Sequence, residues 1–186
     1  MEAPVVTRNR RPFLAPVWLT MLAVLFAFVV AFAIYRSATT TVVVLVSPVD
    51  KDAAGTIDDP PLSPDGELRA QRLAEMLGET TGVGRVDAIY VSATRRAQQE
   101  IAPLADRLNK KPEVIPQGDI GAIASHLTRG HDSETILYVG NSSTVAQLVH
   151  DLSGRDVGPA TQKDHDSLYV VSLPTYGRSS VLRMTY

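Results

Sequence analysis

The stretch VLVSPVDK, residues 44–51, reads as a strand that runs straight into a loop. It continues the β-branched run TVVVLVS (41–47), which is short enough to be one buried strand. Pro48 stops the ladder, and Asp50 and Lys51 lead into the polar, proline-rich DAAGTIDDPPLSP (52–64). In α/β proteins a strand that ends in such a loop is where ligands are bound. Ser47, Pro48 and Val49 nevertheless supply almost no reactive chemistry.

Downstream, apolar runs alternate with helical patterns. Ser63 followed by Pro64 is a helix start, and Ala70, Leu73, Ala74 and Leu77 form one apolar face before Gly78 ends the helix. VDAIYVS (86–92) is a second strand. A helix over 94–109 follows with Ala97, Ile101, Leu104, Ala105 and Leu108 on one side, and Pro103 is expected to kink it or delay its start. PEVIP (112–116) reads as a short strand, 119–129 as a short helix and ETILYVG (134–140) as a fourth strand. Ser142 or Ser143 then caps a helix that turns Val145, Leu148, Val149 and Leu152 inward. SLYVVSL (167–173) and SSVLRMTY (179–186) flank the turn PTYGR and predict a hairpin. The fold class is α/β: a three-layer sandwich with a mainly parallel sheet and a C-terminal antiparallel hairpin. Three loops then lie beyond strand carboxyl ends: Ser47 onward, Ser92 to Arg96, and Gly140 to Thr144.

One transmembrane helix is expected before this domain. Leu14 to Tyr35 contains no charged residue, and 22 residues of helix rise about 33 Å against a hydrocarbon core of roughly 30 Å. Ala31-Phe32-Ala33 resembles a signal-peptidase site, but the apolar run is longer than a signal-peptide core of about 7–15 residues, which favours a retained anchor. Arg8, Arg10 and Arg11 precede the span and only Arg36 follows it closely, so the N-terminus is expected in the cytoplasm and the domain outside. The chain thus divides into a basic tail (1–13), an anchor (14–36), a linker (37–40) and a domain (41–186).

Residues 1–36 carry four arginines and one glutamate, and 37–186 carry 14 basic and 19 acidic side chains. A domain at −5 without a basic run argues against nucleic-acid binding. The absence of cysteine excludes disulfides, thiolate metal sites and a cysteine nucleophile. No metal or cofactor is expected. His126 and His131 share a short polar segment but read as surface histidines, like His150 and His165. Gly78, Gly82 and Gly84 close a helix and precede a strand, the reverse of a nucleotide loop. Asp58 and Asp59 read as loop residues without a role.

In order and spacing, LVSPV (45–49), LSPDG (62–66), SATRRAQQE (92–100) and VGNSS (139–143) resemble the histidine phosphatase superfamily, the phosphoglycerate-mutase-like fold, in its short form. The family pattern is a strand ending Leu-Val-Arg-His, a Leu-Ser/Thr helix start with glycine, a Ser-to-Arg-Ala-x-Gln segment, and a strand ending in histidine. The resemblance spans residues 41–150. It implies an imidazole nucleophile that becomes phosphohistidine, a second imidazole and two arginines on the phosphoryl oxygens, and a carboxylic acid for the leaving group. Carried over by position, the first arginine falls on Ser47, the nucleophile on Pro48, the second arginine on Arg96 and the second histidine on Asn141. Proline has no nucleophilic atom, and asparagine donates a hydrogen bond without positive charge. For the general acid only Asp119 is suggested, because the family takes it from a variable region.

The resemblance therefore implies a pseudophosphatase, with Arg96, Asn141 and Ser47 as a remnant phosphate pocket for an anionic small ligand, or a surface for a partner protein. Ser47 as a substitute nucleophile lacks a base in the matching loops. Two rival readings are a residual or altered phosphomonoesterase and a structural partner in an envelope complex.

Overall fold

A computed structural model describes residues 17–37, 39–47, 59–78, 85–116, 118–157 and 167–186. The chain separates into two compact units, Met1–Ser37 and Ala38–Tyr186. Of the first, the described part is helix α1 (Val17–Ser37). Its apolar side chains are solvent-exposed on every side, so no face is reserved for a protein core. Val17–Tyr35 is long and apolar enough to cross a membrane. Residues 14–16 of the expected span lie outside the described residues.

In the second unit, six strands form one sheet in the order β3-β2-β4-β1-β5-β6. The strands are β1 (Thr40–Val46), β2 (Ala88–Ser92), β3 (Glu113–Ile115), β4 (Thr135–Val139), β5 (Ser167–Pro174) and β6 (Ser180–Thr185). β1 pairs parallel with β4, β4 with β2, and β2 with β3. β5 runs antiparallel to both β1 and β6. β1 is central, and Val43, Val44, Leu45 and Val46 are all fully buried. Complete burial of each such side chain is worth about 1.5–3 kcal/mol.

Alternation along β1 divides the core. Val44 and Val46 face α2 (Pro64–Gly78) and α3 (Arg95–Leu108), where Leu73, Leu77, Ile101 and Leu104 pack. Val43 and Leu45 face α4 (Ile120–Thr128) and α5 (Ser142–Ser153), where Leu127, Leu148 and Val149 pack. The layers are helix, sheet and helix, as the alternating pattern predicts.

Local signals explain most boundaries. Ser63 Oγ accepts Gly66 N–H at 3.1 Å, capping α2 before Pro64. Asn109 closes α3 in the left-handed conformation (φ 51°), its N–H reaching the carbonyls of Ala105 and Asp106. Two expectations need correction. α3 is continuous from Arg95 to Leu108, so Pro103 neither starts nor ends it. The residue at the cap position of α5 is Asn141, not Ser142 or Ser143.

Candidate functional site

The parallel register sets three strand carboxyl ends side by side: Val46 opposite Val139, and Val139 opposite Val91. Ser47, the Ser92–Arg96 turn and the Gly140–Thr144 segment therefore leave the sheet at one pole. Gly140 N–H donates to the Val46 carbonyl at 3.1 Å, so the β1 and β4 exits stay joined. Ser47 is 6% exposed, and its hydroxyl donates to Ser142 Oγ at 2.9 Å. A hydroxyl whose proton goes to another hydroxyl has no general base there to activate it. Ser92 Oγ and Thr94 Oγ1 share a 3.0 Å hydrogen bond on the neighbouring exit.

Asn141 has φ −57° and ψ 147°, and its side chain makes no capping bond to α5. It is half-buried, as is Arg96, the second residue of α3, whereas Arg95 is exposed. Asp119 precedes α4 at the same pole, beyond edge strand β3, and its side chain likewise makes no capping bond. The described mouth is thus lined with hydroxyls and an amide. Ser92, Thr94 and Ser142 join Ser47 there, three residues that the motif pattern alone does not single out. Their signal is only the density of small hydroxyls at two strand ends. Pro48, Asp58 and His165 lie outside the described residues, as do Gly82 and Gly84.

Asp59 corrects the expectation that it is idle. Both carboxylate oxygens accept Arg95 N–H, at 3.1 and 2.9 Å. Thr94, at the cap position of α3, makes no side-chain bond to the helix, so a carboxylate 36 residues earlier caps it instead. Asp59→Ala is expected to cost about 1 kcal/mol, a typical capping loss. Thermal unfolding of the full chain should show it as a fall in Tm of about 2–4 °C, with Asp59→Asn closer to wild type.

The described histidines gather away from this mouth. His131 lies just before β4, at the amino end of the sheet, with Nδ1 bonded to Glu134 and Nε2 2.9 Å from the Tyr90 hydroxyl. His126 stands 3.3 Å from Glu113 at the start of β3 and edge-on to the Tyr90 ring. His150, in the last turn of α5, is 3.0 Å from Asp156. Among the described residues no three His, Asp or Glu side chains gather as a metal-binding group.

Tyr138 is the residue that sequence reading missed. It is 2% exposed, and its ring lies against the α-carbon of Gly140 at the mouth. Burial pushes its hydroxyl above the usual phenol range, as it does for Tyr169; for Tyr90 burial acts together with Glu113 and Glu134. A phenol raised in the folded state stays protonated there while the unfolded chain ionises. Its contribution to stability is complete below about pH 10 and is lost as pH rises through the higher folded value. Urea unfolding should therefore show stability falling above about pH 10, and Tyr138→Phe should flatten that fall.

Residues 49–117 match the model of the histidine phosphatase superfamily, branch 1, a segment that contains Arg96 and ends before Asn141. No curated protein matches the chain by sequence. Among solved structures, the protein histidine phosphatase SixA complexed with tungstate superposes with a TM-score of 0.64 at 22% identity, covering 77% of this chain and 96% of its own. A putative phosphohistidine phosphatase SixA from Nakamurella multipartitia gives 0.55 at 19% identity, over 78% and 95%. Mycobacterial glucosyl-3-phosphoglycerate phosphatase gives 0.56 at 14% identity, over 77% and 96%. The chain has the phosphoglycerate-mutase-like α/β fold, and within it residues 49–117 carry the signature of the histidine phosphatase superfamily.

Proposed function

We propose that this is a membrane-anchored pseudophosphatase: a histidine-phosphatase fold that binds an anionic, phosphate-like ligand without hydrolysing it. The observation that carries the reading is the mouth itself. Where the family pattern calls for arginine and histidine, it has a serine tied to Ser142 and the amide of Asn141. Arg96 remains to attract an anion, and backbone N–H groups at the start of α5 add partial positive charge. Neither Ser47 nor Asn141 has an imidazole or carboxylate among the described groups of the β1 and β4 exits. Losing one preorganised transition-state donor alone typically costs ~10²–10³ in rate. Loss of the nucleophile removes the first step of a two-step transfer. The exposed apolar α1 fits a segment that enters a membrane; its length as a retained anchor, and the flanking arginines that put the domain on the extracytoplasmic side, are read from the sequence.

The full chain in detergent, titrated with phosphate, sulfate and tungstate, tests this directly. A rise in Tm that vanishes in Arg96→Ala, with no release of phosphate from a phosphomonoester, is the expected result. Turnover that Arg96→Ala abolishes would instead establish the residual-phosphatase reading. No stabilisation by any of these anions would remove the ligand and favour a protein partner.

A further inference from the structure

Tyr138 carries a hydroxyl that the described core does not use. The residue is 2% exposed, yet among the described residues no hydrogen bond to this hydroxyl is found, and its oxygen is not sealed from solvent. The hydroxyls of Tyr90 and Tyr186, by contrast, are matched: one lies 2.9 Å from His131 Nε2, and the other donates to Glu100 Oε1 at 2.8 Å. A hydroxyl taken from water without a partner costs about 1–3 kcal/mol, a cost that leucine would not carry here. Tyr169 shares the lack of a described partner, and what sets Tyr138 apart is where its hydroxyl goes.

The side chain runs along β4 toward the strand's carboxyl end. Its hydroxyl and ring carbons lie 2.5–2.7 Å from where a Cβ on Gly140 would stand. Gly140 is not in the left-handed region, so its missing side chain serves as room for the ring. The hydroxyl is thereby delivered to the chain just ahead of α5. There the Asn141 side chain makes no capping bond, and the first helical bond runs from Val145 N–H to the Asn141 carbonyl at 2.8 Å. The N–H groups of Ser142, Ser143 and Thr144 come before that bond, at the positive end of a 12-residue helix. Ser142 Oγ accepts the Ser47 proton and keeps its own to give.

We propose that the Tyr138 hydroxyl donates to the anion held at the mouth, with one ligand oxygen lying between this phenol and the first turn of α5. This inference rests on the anion-binding reading above and names the residue that completes the site on the α5 side. A phosphate or sulfate group is then held by neutral donors at this end and by Arg96 at the other. Burial keeps the phenol protonated well above neutral pH, so it serves as a donor there. A donor facing a charged acceptor forms a stronger bond than a neutral pair.

The full chain in detergent is titrated with phosphate and with sulfate, followed by Tm, as wild type, Tyr138→Phe and Tyr90→Phe. Tyr138→Phe removes one oxygen and leaves the ring in place. The expected result is a half-saturating concentration at least ~10-fold higher for both anions, the loss of one hydrogen bond to a charged group, with no fall in the ligand-free Tm. Tyr90→Phe, which loses a hydroxyl at the other end of the sheet, should keep the wild-type value. Binding that Arg96→Ala abolishes and Tyr138→Phe leaves unchanged overturns this inference while the anion site stands. Equal weakening in both tyrosine variants would assign the effect to core packing and overturns it too. No stabilisation of wild type by either anion overturns both readings. Should Tyr138→Phe fail to fold, fluorine NMR of wild type labelled with 3-fluorotyrosine decides. The chain has six tyrosines, and five signals are assigned from the Phe variants of Tyr35, Tyr90, Tyr169, Tyr176 and Tyr186. The remaining signal must move with anion at the midpoint that Tm reports, and a signal that stays in place overturns the proposal.

Discussion

Gly140→Ala is expected to destabilise the domain by about 2–3 kcal/mol, the range of overpacking a closed core. A Cβ at this position would lie 2.5–2.7 Å from the hydroxyl and ring carbons of Tyr138, inside van der Waals contact. The ring cannot swing aside freely, because Tyr138 is among the largest fully buried side chains and packs with Leu45, Ile136 and Val145. Nor can the backbone retreat without loss, because Gly140 N–H holds the Val46 carbonyl at the mouth. For a domain of this size the fall in Tm should be about 4–12 °C by calorimetry. Tyr138→Leu in the same chain should return part of it, since neighbours that share a space are not additive. A Gly140→Ala chain as stable as wild type would show that the ring yields.

The layers and their order follow from local signals that agree with one another. β1 is legible because seven consecutive residues suit a strand, and five of them, including Val43 to Val46 on both faces, are buried, as a central position allows. α2 is legible because Ser63, Pro64 and the spacing of Leu73 and Leu77 are all short-range features. The C-terminal hairpin is legible from its turn. Long-range pairing is not legible in this way: no local rule connects Asp59 to the amide of Arg95, 36 residues on. Pro103 does not delay the start of α3. Its missing N–H removes one bond from a helix that packing through Ile101 and Leu104 already holds.

For the candidate site, the motif spacing brings Ser47, Arg96 and Asn141 to one pole, and the parallel register agrees. What the motifs leave out is how the mouth is filled. The Ser47–Ser142 bond joins loops 95 residues apart, and Tyr138 reaches Gly140 along its own strand. Such contacts depend on side-chain direction in three dimensions, which a spacing pattern does not carry. In function, the exchange of charge for hydroxyls decides most. Arginine and imidazole hold a phosphoryl dianion by charge-assisted bonds, which are roughly twice as strong as neutral ones. On the proposed reading, a serine pair and an amide beside Arg96 hold an anion more loosely than that set would.

The same comparison predicts a gain of function. Placing Arg at 47, His at 48 and His at 141 together (Ser47→Arg, Pro48→His, Asn141→His) should raise phosphomonoester hydrolysis at least ~10²-fold over wild type. The single changes should each give little. Pro48→His supplies a nucleophile without the second charge, and Asn141→His supplies charge with nothing to attack, so groups that act as a unit are non-additive. Ser47→Arg carries the structural cost. It places a guanidinium at a position 6% exposed and removes the proton that Ser142 accepts, and a buried charge is tolerated only with partners. Calorimetry with phosphate present must therefore accompany the assay, and the Pro48→His, Asn141→His pair serves as the less burdened variant. Initial rates with p-nitrophenyl phosphate, together with an acid-labile phosphoryl adduct mapped to the residue introduced at 48, check the chemistry. A triple variant that folds, is stabilised by phosphate and still does not turn over would mean that these positions do not stand where the family places its reacting groups.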